Sequence, residues 1–292
     1  MIEGGGAAGF LWRGLVPLVP FALLLNARLW RNVCPLGRIS EGGPGGDPVS
    51  DRPRIGLAIL LFAAILPVRA AWLAESMVAT AGLLAILVSG AFLLGRCRAR
   101  RSGFCTTVCP MLPVELLYGQ APLIDVGRGA CDSCTLCTAR ACPQLSPSAA
   151  IAQHLGAGRH GTGWIRTPFG AFAAAFPGVI TAFFLGETGS PVSAILSLGV
   201  GAVVSWSVVA AIVVALRPGW DRAILALGFG AITLWAWFAL PGVAEAWGWG
   251  AGAPVLQLTG LAASLTWFVQ GVRRSRTGGA YPSPSGSRVR IT

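Results

Sequence analysis

The chain has no lysine, only two histidines, two tyrosines and three methionines, and just 11% of its 292 residues are charged. A soluble domain is closer to a quarter charged, so this scarcity excludes an ordinary soluble globular protein. The two histidines, His154 and His160, lie outside every long apolar run. That excludes a haem held by histidine between membrane helices. Acidic residues, lysine and histidine are all absent from the cores of those runs. An ion or proton pump needs ionisable groups there, so coupling to ion transport is not expected. The net charge of +11 arises from 22 arginines against 11 acids. In a soluble protein it would point to nucleic acid. Here arginines flanking membrane spans account for it, and no nucleic-acid partner is expected.

What is present is apolar: 54% of the residues, with a mean hydropathy of +0.68. About 20 apolar residues cross a bilayer as a helix. On that measure seven spans are predicted, over residues 10–29, 55–73, 77–95, 168–185, 192–216, 222–243 and 254–272. Pro17, Pro20 and Pro177 fall inside spans and predict kinks rather than breaks. The run near the N-terminus has Glu3 and no basic residue before it, and no small-residue cleavage site after it. It therefore reads as a retained span and not as a signal peptide. With the N-terminus outside, every arginine except Arg13 and Arg69 falls on one face. The positive-inside rule makes that face cytoplasmic, in a bacterial inner membrane, with the C-terminus on the same side. The chain then divides into residues 1–95 (three spans and the Cys34 loop), 96–166 (a cytoplasmic cysteine segment), 167–272 (four spans) and 273–292 (a basic tail).

All eight cysteines, Cys34, Cys97, Cys105, Cys109, Cys131, Cys134, Cys137 and Cys142, fall on the predicted cytoplasmic side. In CDSCTLCTARACP, three cysteines recur at three-residue steps and Cys142 is followed by Pro143. This is the spacing of a ferredoxin-type 4Fe-4S site, in which the proline-marked fourth cysteine often serves a neighbouring cluster. A second half-motif, Cys105-x3-Cys109-Pro110, follows the third span, and Cys34-Pro35 follows the first. Eight thiolates suffice for two 4Fe-4S clusters. A reducing cytoplasm argues against disulfides. Structural zinc is the competing reading, since CxxC pairs also hold zinc. A third cysteine follows the first pair after only two residues, and proline follows Cys34, Cys109 and Cys142; both features favour iron–sulfur.

FCTTVCPMLPVE and RNVCPLG resemble the C-x3-CP segments of membrane-bound polyferredoxin-like proteins of the NapH, NosR and CcoG type. The resemblance covers residues 29–37 and 95–151 and implies an all-α integral membrane fold bearing a cytoplasmic ferredoxin-like iron–sulfur loop domain. The chain departs from that pattern at three points. Trp30 stands where a cysteine would precede Cys34, only one complete ferredoxin run is present, and its last spacing is longer by one residue. Cys97 is a candidate replacement ligand. Two partitions stay open. A crossover gives Cys131, Cys134, Cys137 with Cys109, and Cys34, Cys97, Cys105 with Cys142; a closed run gives Cys131, Cys134, Cys137, Cys142, and Cys34, Cys97, Cys105, Cys109.

The expected function is an electron relay between a membrane partner, such as a quinol or a redox complex, and a cytoplasmic redox carrier. The chemistry would belong to the clusters, so no acid, base or nucleophile is required. With no substrate site of its own, the chain reads as a subunit of a larger oxidoreductase rather than a stand-alone enzyme. The alternatives are a CcoG-like metal-reducing assembly factor, weakened by the shortage of methionine, and a membrane scaffold with a zinc-stabilised loop. His154 is expected on the surface of a helix over 146–155. The 11 tryptophans read as interfacial belts, with Trp235 and Trp237 deeper and able to line a quinone pocket.

Overall fold

The computed structural model describes residues 6–40, 55–73, 75–97, 103–124, 147–156, 161–186 and 190–276. Among these residues all regular structure is helical and there is no strand. In chain order the helices are α1 (Ala7–Leu25), α2 (Ala27–Val33), α3 (Pro35–Ile39), α4 (Ile55–Val68), α5 (Met77–Cys97) and α6 (Gly103–Thr107). They continue with α7 (Leu112–Tyr118), α8 (Pro147–Leu155), α9 (Pro168–Leu185), α10 (Pro191–Leu216), α11 (Trp220–Ala246) and α12 (Ala253–Arg276). Among the described residues six stretches are helical and long and apolar enough to cross a membrane: α1, α5 to Arg96, α9, α10, α11 and Gly250–Ser275. They are consistent with a multi-pass membrane protein. Large apolar side chains face outward along α5 and α10, including Val78, Ile86, Val203 and Val214. Each would cost roughly 1.5–3 kcal/mol in water and nothing in lipid.

The second predicted span, 55–73, is the exception. α4 is α-helical for only 14 residues and then opens into a π turn, Arg69–Leu73. Pro67 lies two residues before that turn; it lacks an N–H and crowds the carbonyl four residues back, so the α ladder is already weakened on the N-terminal side of the π turn. α1 shows the same effect. Pro17 and Pro20 divide it into a first α turn, a π turn over Leu11–Leu15, a 3-10 turn over Val16–Leu18 and an α segment, Val19–Leu25.

Carbonyls along the interrupted helix find partners on α11 and on Trp247 just past its end. Trp247 Nε1 donates to the Gly14 carbonyl at 3.2 Å, and Trp235 Nε1 to the Pro17 carbonyl at 3.0 Å. In a bilayer a freed backbone group needs such an internal partner, because no water replaces it. Trp235 is therefore tied to α1, while Trp237 on the same helix is exposed.

The remaining bundle is held by close helix approaches. Gly178 of α9 and Gly201 of α10 sit backbone to backbone, and a Cβ on Gly201 would lie 2.5 Å from the Gly178 carbonyl oxygen. Ser205 Oγ on α10 donates across the same contact to the Ala174 carbonyl at 2.7 Å. Small residues and an interhelical hydroxyl bond of this kind are how helices associate where the hydrophobic effect offers no drive.

At Asn26 the first helix stops. The backbone there is extended (φ −171°, ψ 129°), and the side chain accepts from the Arg28 N–H at 2.8 Å to start α2. The stop leaves the last carbonyls of α1 without helical donors. The chain after α7 supplies them: the N–H groups of Leu123 and Ile124 donate to the Leu24 and Leu25 carbonyls at 3.0 and 3.1 Å. Asn26 Nδ2 returns a bond to the Ile124 carbonyl at 2.9 Å.

α7 itself is buried on every side, all seven residues from Leu112 to Tyr118. It closes one end of the bundle beneath α1, α4, α9, α11 and α8. Its C-terminal carbonyls are satisfied as well, by Trp267 Nε1 on the Tyr118 carbonyl at 2.9 Å and Gln120 Nε2 on the Leu117 carbonyl at 2.7 Å. The stretch that follows Cys109 is thus anchored inside the helical bundle.

Candidate functional site

Two Cys-Pro turns meet at the closed end of the bundle. Cys34 ends α2 and precedes Pro35, the first residue of α3. The proline contributes no N–H, so the donors of Leu36 and Gly37 turn back on the Cys34 sulfur. Cys109 precedes Pro110 in the same way, and the Met111 N–H points at its sulfur. Both turns therefore offer backbone donors to a thiolate, which lowers the cost of holding negative charge on sulfur.

Cys105, on α6, lies between them. Its sulfur is 3.7 Å from Ser40 Oγ, shares a hydrogen bond with Cys109 and is within electrostatic range of Cys34. The Cys109 thiol, with help from Arg31, holds Cys105 down to about 7, from an ordinary 9. The same shared bond, together with burial, pushes Cys109 well up. Burial also raises Cys34, against the pull of its backbone donors. Cys105 is thus the sulfur best prepared to be a thiolate at neutral pH.

Apolar side chains wall the site. Ala91 of α5, Phe104 and Val108 pack with Cys105, flanked by Leu36, Ile39, Leu61, Leu87 and Leu94. On the other side Arg31 and Glu115 form a buried ion pair. Arg31 Nε lies 2.8 Å from Glu115 Oε1, and Nε and Nη2 reach Oε2 at 3.1 and 2.9 Å. The pair joins α2, which ends at Cys34, to α7, which follows Cys109. Charged groups in α2 and α7 that sequence reasoning passed over therefore position the cysteines. Glu115 carried a signal, as the lone acid in the apolar run LPVELLY.

Of the eight predicted ligands, Cys105 and Cys109 share a hydrogen bond, and Cys34 lies within electrostatic range of Cys105. Cys97 is the last residue of α5, whose end packs against α3: a Cβ on Gly95 would lie 2.7 Å from the Ser40 Cα. Its side chain, and Cys131, Cys134, Cys137 and Cys142, lie outside the described residues. Among the described residues, no three histidines, cysteines or acids converge closely enough to hold a metal ion. The cysteines approach in pairs. His160 is likewise outside the description. His154 is not on a free surface: its ring packs 6.3 Å from that of Phe169, and burial lowers it to about 4.

No protein-family model, no curated protein and no solved structure matches the chain.

Proposed function

We propose that the protein is a membrane-anchored iron–sulfur electron carrier, passing single electrons between a partner in the bilayer, a quinol or a redox complex, and a redox protein on the arginine-rich side. The observation that carries this reading is Cys105 bonded to Cys109 and within electrostatic range of Cys34, with each Cys-Pro turn aiming backbone N–H groups at its own sulfur. Backbone donors aimed at a sulfur favour its thiolate form, the form that ligates iron. Cys97 and the ferredoxin-spaced Cys131, Cys134, Cys137 and Cys142 would bring the ligands to the number required by two 4Fe-4S clusters. When bound, the clusters supply reversible one-electron chemistry.

The chain's own residues do the rest. The wall of Phe104, Val108, Leu36 and Leu87 keeps water from the sulfurs, and the Arg31–Glu115 pair fixes the spacing of the two turns. Arg31 adds positive potential close to Cys34 and Cys105, which favours thiolate charge. In this reading α4 with its π turn is a seventh, thin crossing. The N-terminus then lies outside, and the cysteines and C-terminus lie in the cytoplasm of a bacterial cell. The chain would work as a subunit of a larger oxidoreductase.

The test is iron, acid-labile sulfide and zinc per chain, on protein purified anaerobically in detergent. About eight iron and eight sulfide are expected, falling by about four of each in Cys105→Ser. Zinc without sulfide would replace this reading with a structural zinc site.

A further inference from the structure

The two arginines that break the charge asymmetry meet in space. Arg13 and Arg69 lie on different helices, each within a π turn, at the end of the bundle opposite the cysteines. Arg69 Nη2 donates to the Trp12 carbonyl at 3.5 Å, and its guanidinium carbon stands 4.6 Å from the centre of the Phe183 ring. Arg13, adjacent to Trp12 in the chain, is close enough for the two charges to repel. Among the described residues neither arginine has a carboxylate within ion-pair distance. A guanidinium has five N–H donors, and the contact to Trp12 uses one, at the long limit of a hydrogen bond.

Two neighbouring cations with no carboxylate beside them among the described residues are costly at the edge of a bilayer. The cost is relieved by a ligand that brings negative charge and several acceptor oxygens. The surroundings select the form of that ligand. Trp72, Met77, Val78 and Leu185, at the same end, are exposed and apolar. An acyl chain attached to the anion would lie along these side chains, a contact that a free inorganic ion does not make. We propose that Arg13 and Arg69 bind the phosphate of an anionic phospholipid in the leaflet opposite the cysteines. This inference stands apart from the iron–sulfur reading, since it uses none of the same residues.

The experiment is thermal unfolding of the detergent-solubilised full chain, titrated with phosphatidylglycerol, phosphatidylcholine or inorganic phosphate. Phosphatidylglycerol is expected to raise the midpoint, with little response to the other two. Arg13→Gln, an exposed position that should fold normally, should raise the half-effective lipid concentration roughly tenfold or more, the usual value of one charged hydrogen bond. Arg222→Gln, exposed at the opposite end, should leave it unchanged. Native mass spectrometry should show one fewer retained phosphatidylglycerol in Arg13→Gln. No response to phosphatidylglycerol, an equal response to phosphatidylcholine, an equal response to phosphate or an unaltered Arg13→Gln titration would each overturn the proposal.

Discussion

Neutralising Glu115 should damage this protein more than most single substitutions. Its carboxylate meets Arg31 at 2.8 Å on one oxygen and at 2.9 and 3.1 Å on the other, and both side chains are almost wholly buried. Glu115→Gln keeps the shape and removes the charge that faces a buried guanidinium. Breaking a buried pair from one side costs about 3–5 kcal/mol. A chain of this size shifts by about 2–4 °C per kcal/mol, so the unfolding midpoint should fall by about 10 °C. Tryptophan fluorescence during heating in detergent reads this directly, since Trp30 and Trp164 lie at the same end of the bundle. The double substitution Arg31→Met with Glu115→Leu removes both charges and should recover most of the loss, because a buried pair is often no better than an apolar replacement. A midpoint within about 2 °C of wild type for Glu115→Gln would refute the reasoning. So would a double variant as unstable as the two single losses added together.

Three other outcomes follow from particular contacts. The Tyr118 hydroxyl is fully buried with no hydrogen-bond partner among the described residues, so Tyr118→Phe should raise stability by about 1 kcal/mol; a lower midpoint would reveal a partner for that hydroxyl. Gly201→Leu should lose about 1–3 kcal/mol or more, because its side chain must enter the contact with Gly178 and Ala182; an unchanged midpoint would mean that α9 and α10 do not pack as described. His154 gives a pH dependence. Its folded pKa of about 4 lies below the unfolded 6.5, so the unfolded chain binds the proton first as pH falls. Its contribution is complete above about 6.5 and declines toward pH 4. Between pH 6.5 and 5, wild type should lose at most about 2 kcal/mol relative to His154→Gln, less to the extent that solvent reaches the ring. Parallel pH profiles for the two proteins would show that His154 titrates normally.

Local pattern was sufficient for much of this molecule. A long apolar run can cross a bilayer only as a helix, because its backbone must bond to itself, and so the six long helices were legible from composition and length. The Cys-Pro pairs were legible too, since spacing along the chain is itself the chemical signal. Proline positions announced that α1 would be irregular, though not which turns would be π or 3-10.

Only the tertiary structure could decide the rest, because each remaining feature joins residues far apart in sequence. That Asn26 stops α1 depends on Leu123 and Ile124 arriving to satisfy the exposed carbonyls. That α7 is swallowed by the bundle depends on Trp267 and Glu115 finding partners on other helices. Arg13 and Arg69 read one at a time as two exceptions to a charge rule; their encounter exists only once α1 and α4 have packed. The sequence carries the hydrophobic period and the ligand spacing. The pairing of buried charges and freed carbonyls is set by three-dimensional packing, because in a bilayer each such group must find its partner within the protein or pay several kcal/mol for lacking one.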